Sequence, residues 1–213
     1  MSAVVILSQI NLGSMESKED HYESKLSKHA YWEENFDLEL QNFEDNGDDG
    51  EVWFGKDVQR KTVRYIQETY GDAEGLCVLD VGTGNGALLF KLAKKGLKAT
   101  LVGIDYSEKS ILFSKKVQAS LCENKPLVSG IEFRFENAFD LLDHNRYDII
   151  HDKGTFDVVV MNKDLDNRAY ARAMRHRLNS NNPNAVFILT SCNLTTDEMD
   201  EIFVGPDLLQ KAG

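Results

Sequence analysis

Two spacings of apolar residues alternate along this chain. Short unbroken apolar runs end at turn residues, and between them apolar residues recur at every third or fourth position. Cys77-Val78-Leu79-Asp80-Val81 is such a run, ending at glycines as a strand buried on both faces should. Leu88, Leu89, Leu92 and Ala93 then follow at helical spacing and stop at Gly96, the residue type that closes a helix in a left-handed conformation. The same reading predicts strands at 100–104, 131–135, 147–151 and 185–190. It predicts helices from Asp57 as cap to about Thr69, from Ser107 as cap to about Ala119, and over 166–178. Thr195 and Glu198 have capping-box spacing for a last helix over 196–203. Strand and helix in strict alternation imply an α/β fold, a Rossmann-like, doubly wound and mostly parallel sheet. Its ligands are expected beyond the carboxyl ends of the strands.

Residues 28–45 mix Tyr31, Trp32, Phe36, Leu38, Leu40 and Phe43 with acids, the pattern of a helix or extension packing onto the domain. Glu44 to Glu51 is an acidic turn cluster without the regular ligand spacing of a calcium loop. The expected organisation is a mobile segment over 1–26 and one domain over 27–213. The chain ends ten residues after the last predicted helix, against the roughly 14 that two more strands and their turn require. A C-terminal antiparallel hairpin is therefore expected to be missing or incomplete, the domain truncated, and the fifth strand a bare edge.

Charge narrows the partners. The 213 residues carry 35 acids against 24 bases, a formal net charge of −11, which disfavours a phosphate backbone and favours a basic protein surface or a cationic small molecule. No stretch approaches the length of a membrane span. Cys77, Cys122 and Cys192 are far apart and without metal-ligand spacing, so reduced thiols and no metal site are expected.

The turn Asp80-Val81-Gly82-Thr83-Gly84-Asn85-Gly86 joins the first of these strands to its helix. Its glycines let a ligand approach the backbone, and Gly82, Gly84 and Ala87 loosely satisfy a dinucleotide pattern. Asp80 argues against a dinucleotide, because a carboxylate beside a pyrophosphate repels it. A ligand with an ammonium and a sulfonium gains instead, and S-adenosyl-L-methionine carries both together with an adenosine. Asp105 ends the next strand, 23 residues after Gly82, near the offset of an acid that binds ribose hydroxyls. Tyr106 offers a face for adenine. Asn137 and Ala138 follow the third strand, where adenine's amine would be read. Asp152-Lys153-Gly154-Thr155-Phe156 follows the fourth, where a methyl group would be presented.

These residues resemble the class I, seven-strand methyltransferases. The segments Ser27-Lys28-His29-Ala30-Tyr31-Trp32-Glu33, Val52-Trp53-Phe54-Gly55, Asp152 to Asp157 and Thr190-Ser191-Cys192-Asn193 narrow the resemblance to the methyltransferase-like 10 group, the elongation factor 1-alpha lysine methyltransferases. The resemblance implies S-adenosylmethionine as cofactor, a lysine of translation elongation factor 1-alpha as acceptor, and the cytoplasm, with the nucleus also open. By position it implies cofactor contacts at Gly82, Gly84, Gly86 and Asp105, with Trp53, Phe54 and Gly55 near the cofactor or the incoming lysine. Asn137 departs from the acid that many such enzymes carry there.

The expected chemistry is attack of a neutral lysine amine on the sulfonium methyl, with the protein aligning the two and excluding water. Asp152 is the expected catalytic group, with Asp152 or a backbone carbonyl near Gly154 orienting that amine, and Trp53, Phe54 and Phe156 are expected to form an apolar channel for it. A different methyl acceptor, a cofactor-binding but inactive short form, and a nicotinamide enzyme are the alternatives, the last ranked lowest.

Overall fold

The computed structural model describes residues 3–9, 24–123, 126–141 and 146–211. Its elements in chain order are β1 (Ala3–Gln9), α1 (His29–Asn46), α2 (Gly55–Tyr70), β2 (Leu76–Val81), α3 (Ala87–Lys94), β3 (Ala99–Asp105), α4 (Glu108–Cys122), β4 (Glu132–Phe135), β5 (Ile149–Lys153), α5 (Thr155–Met161), α6 (Asn167–Arg177), β6 (Val186–Ser191), α7 (Thr196–Phe203) and β7 (Gln210–Lys211). The strands form one sheet in the order β4-β3-β2-β5-β6-β1-β7, and every neighbouring pair among the described residues is parallel. No antiparallel hairpin closes it among those residues.

Successive strand residues point to opposite faces, and the core divides accordingly. Val78, Ile149 and Ile188 join one apolar cluster with Ile66 of α2, Leu89 of α3 and Phe113 of α4. Their neighbours Leu79, Ile150 and Leu189 join the other, with Phe156 of α5, Tyr170 of α6 and Phe203 of α7. Each fully buried side chain of this size contributes about 1.5–3 kcal/mol. The sheet is thus wound on one face by the helices before β4 and on the other by those after β5. The order reverses between β2 and β5, and a crevice opens there beyond the carboxyl ends.

Caps explain several boundaries. Ser107 accepts a hydrogen bond from Ser110 N, Asp166 accepts one from Arg168 N, and Thr195 with Glu198 forms the expected reciprocal box. Asp57 is not the cap of α2. That helix begins two residues earlier, behind Phe54 in a left-handed conformation, and Asp57 lies in its first turn. The strand expected over 147–151 begins instead at Ile149 and runs to Lys153, because Tyr147 bonds to the segment Arg177–Asn179 rather than along the ladder.

Two elements depart further from expectation. Residues 3–9 belong to the sheet as β1, paired in parallel with β6, so the edge expected to be bare is covered. At the other end of the expected mobile segment Ser24 caps a 3-10 turn over Lys25–Ser27, and residues 1–2 and 10–23 lie outside the described residues. The second is α5, whose run of β-branched residues argues against a helix. It forms because Asp152 accepts hydrogen bonds from the amides of Thr155 and Phe156 across Gly154, and because Phe156 and Val159 are buried.

Candidate active site

The crevice between β2 and β5 is a cleft of about 290 Å³. Eight of the residues singled out from sequence line it: Trp53, Asp80, Gly82, Gly84, Asp105, Tyr106, Asn137 and Ala138. Gly55, Gly86 and Asp152 do not. Gly55 is exposed at the start of α2, and Gly86 is buried where an added Cβ would come within 2.7 Å of the Phe133 ring. Gly86 therefore serves helix packing rather than ligand approach. Gly82 does open onto the cleft, at φ +63, and an added Cβ there would lie 1.9 Å from Thr155 Oγ1.

Asp80 is not a free negative charge awaiting a ligand. One of its oxygens lies 2.7 Å from Nδ1 of buried His151, and the other accepts from the Thr83 hydroxyl at 2.9 Å. The pair fixes the entrance to the glycine turn. Asp105 closes the turn from the other strand: it accepts from the amides of Gly84 and Ser107, both at 3.0 Å. Burial pushes its carboxyl above the ordinary carboxylate range, against the pull of those amides. Beside it the Tyr106 hydroxyl is buried with no partner among the described residues, and burial raises it too. Its backbone carbonyl lies 2.9 Å from Nε2 of His29, which brings the first turn of α1 to the cleft. Trp32, Asn35 and Phe36 of the same helix extend that wall.

The loop after β4 owes its shape to a residue that sequence reasoning missed. Arg177, 1% exposed, pairs with Glu136 at 2.5 Å and donates to the carbonyls of Asn137 and Asp140. The Asn137 side chain accepts from Phe139 N within its own turn, which leaves Ala138 and Phe139 as an apolar wall.

Asp152 sits behind the cleft rather than on it. It is fully buried, accepts from the Tyr170 hydroxyl at 2.5 Å as well as from the two α5 amides, and burial pushes it up to about 7. The expectation that it touches an incoming amine is corrected to one of holding α5 in place. Phe156 likewise lies wholly in the core and lines no channel. The group that β5 does present is Lys153, whose Nζ donates to the Trp53 carbonyl at 2.8 Å and whose ammonium burial pulls below the ordinary lysine range. The legible signal was three successive ionisable residues, His151-Asp152-Lys153, in an otherwise apolar strand. Such residues are buried only with partners.

An adenosyl sulfonium fits this donor set. Asp105 supplies acceptors for hydroxyls, Tyr106 a hydroxyl with no partner among the described residues, Ala138 and Phe139 apolar surface for a purine, and Gly82 and Gly84 backbone without Cβ atoms.

Residues 72–208 match the family model of a methyltransferase domain. The protein-lysine N-methyltransferase efm4 of Schizosaccharomyces pombe is 32% identical over 203 residues, covering 85% of this chain and 81% of that protein. The EEF1A lysine methyltransferase 2 of Danio rerio is 35% identical over 192 residues (87% and 77%), and the human protein of the same name 34% over 193 (88% and 78%). Among solved structures, one from Methanococcus maripaludis, assigned as an S-adenosylmethionine-dependent methyltransferase, superposes with a TM-score of 0.53. It is 16% identical and covers 88% of this chain and 72% of that one.

Proposed function

Because this chain belongs to the methyltransferase-domain family, among protein-lysine methyltransferases that it matches over most of their length, we propose that it methylates a lysine of translation elongation factor 1-alpha. S-adenosylmethionine is its cofactor, and when bound supplies a methyl group already activated on a sulfonium. The observation that carries the reading is the cleft at the strand-order reversal, with Asp105 and Tyr106 at one side and Lys153 with Trp53 at the other.

The chain's own residues divide the work. Asp105, Tyr106 and the Gly82–Gly84 backbone would hold the adenosyl side, bordered by the Arg177-supported loop at Asn137 and Ala138. Trp53 and Trp32, with ring centroids 4.8 Å apart, make the opposite wall apolar and exclude water. A lysine amine must be neutral to attack, and it starts near pKa 10.4. At Lys153 on the cleft wall, desolvation disfavours the ammonium against the opposing pull of Asp80 and Asp152. Glu39 and Glu51 also line the cleft, so an acidic side faces a cationic substrate.

The test is transfer of labelled methyl from S-adenosylmethionine to purified elongation factor 1-alpha, with the site read by peptide mass spectrometry. One modified lysine is expected. Label on a different acceptor, or none from a chain that S-adenosylhomocysteine stabilises against heat, overturns the substrate. A cytoplasmic location is proposed with that substrate, and a tagged chain confined to a membrane-bounded organelle would count against it.

A further inference from the structure

Residues 52–54 cross from the acidic turn to α2 and are fastened at several points. The Trp53 ring lies against Trp32, and the Trp53 carbonyl accepts from Lys153 Nζ at 2.8 Å. The Phe54 ring centroid stands 5.8 Å from the same Nζ, and that ring covers Gly154, where an added Cβ would come within 3.2 Å of it. Phe54 has φ +62, the one left-handed non-glycine residue among those described. A bulky residue holds that conformation only where its surroundings over-determine it.

Lys153 provides two of those fastenings at a cost. Its ammonium is largely desolvated, and its hydrogen bond among the described residues goes to a carbonyl rather than a carboxylate. A methionine would fill similar volume without that penalty, so packing alone does not explain a lysine here. Its position does. Lys153 ends β5, which lies on the far side of β2 from β3, where Asp105 and Tyr106 hold the adenosyl side.

We infer that Lys153 is a positioning residue that pins the Trp53–Phe54 strap across the acceptor side of the cleft, so that the methyl-accepting lysine enters past an ordered aromatic wall. The acceptor part of this inference rests on the methyltransferase reading, but the strap itself does not.

The chain has two tryptophans, so Trp32→Phe leaves Trp53 as the only indole. In that background Lys153→Met should raise acrylamide quenching of Trp53 about twofold, because a freed strap samples open states. Lys153→Arg, which keeps a cationic donor, should restore it. Melting temperature should not fall in Lys153→Met. In the protein with both tryptophans, Lys153→Met should raise KM for the protein acceptor about fivefold, the scale of one lost hydrogen bond, while S-adenosylhomocysteine affinity stays within about twofold. Unchanged quenching overturns the inference, as does equal loss of melting temperature in the Met and Arg variants. If the quenching responds as expected but the wild type methylates no protein lysine, the functional reading fails and the strap stands. A methylating wild type whose quenching and KM ignore Lys153→Met has the opposite meaning.

Discussion

Nδ1 of His151 lies 2.7 Å from Oδ1 of Asp80, and both residues are buried under the glycine turn. This contact joins β2 to β5 at the point where the strand order reverses, so it fixes both the first residue of the turn and the strand that carries Asp152 and Lys153. His151→Leu leaves the Asp80 carboxylate with the Thr83 hydroxyl as its one side-chain hydrogen-bond partner among the described residues. The expected loss is about 1–3 kcal/mol in denaturant unfolding, together with weaker S-adenosylhomocysteine binding as the turn loosens. A loss below about 0.5 kcal/mol would show that the pair contributes nothing to the turn.

Asp152 makes stability depend on pH. An aspartate ordinarily titrates near 3.9, and burial raises this one to about 7. Between about 4 and 7 the folded chain keeps a proton there that the unfolded chain has lost, so stability from this group is full below that window and falls as pH rises through it. Asp152→Asn removes the titration. The difference in unfolding free energy between wild type and variant should therefore shift against the wild type from pH 4 to 7 and level off above. A constant difference across the window contradicts the assignment.

Arg177 is predicted to hold the loop over the adenosyl side. Arg177→Met strands the Glu136 carboxylate and frees the carbonyls of Asn137 and Asp140, at an expected cost of about 3–5 kcal/mol. Calorimetry should show weaker S-adenosylhomocysteine binding. Adding Glu136→Leu should recover part of the stability but not the affinity, since the carbonyls still lack their donor. Full recovery of both would mean that only the charge mattered.

Gly82 and Thr155 should be energetically coupled. An alanine at 82 pushes its Cβ onto Thr155 Oγ1 and holds a left-handed φ, for which about 1–3 kcal/mol is the expected strain. Thr155→Ala removes the obstructing oxygen. A double-mutant cycle should give a coupling of about 0.5–3 kcal/mol, and strict additivity would place the Gly82→Ala cost elsewhere.

Much of this protein is written in short stretches of chain. The alternation of apolar runs with helical spacing specifies the parallel sheet, because burial on two faces and burial on one stripe leave different periods. Asp80, the glycine turn, Asp105 and Tyr106 lie within one strand–helix–strand unit, whose geometry is fixed locally, and so their meeting in one cleft was legible. The capping box at Thr195 and Glu198 spans one helical turn and was legible for the same reason. What tertiary structure alone decided depends on contacts between distant segments. Lys153 meets Trp53 across 100 residues, His151 meets Asp80 across 71, and Arg177 meets Asn137 across 40. No local period encodes such pairs. They arise because parallel strands set side by side bring the ends of remote segments together, and because a buried polar group takes whatever partner the sheet delivers. The same reason places residues 3–9 on the edge of β6. An apolar run shows that a segment can be a strand, but only the finished sheet has an open edge for it to join.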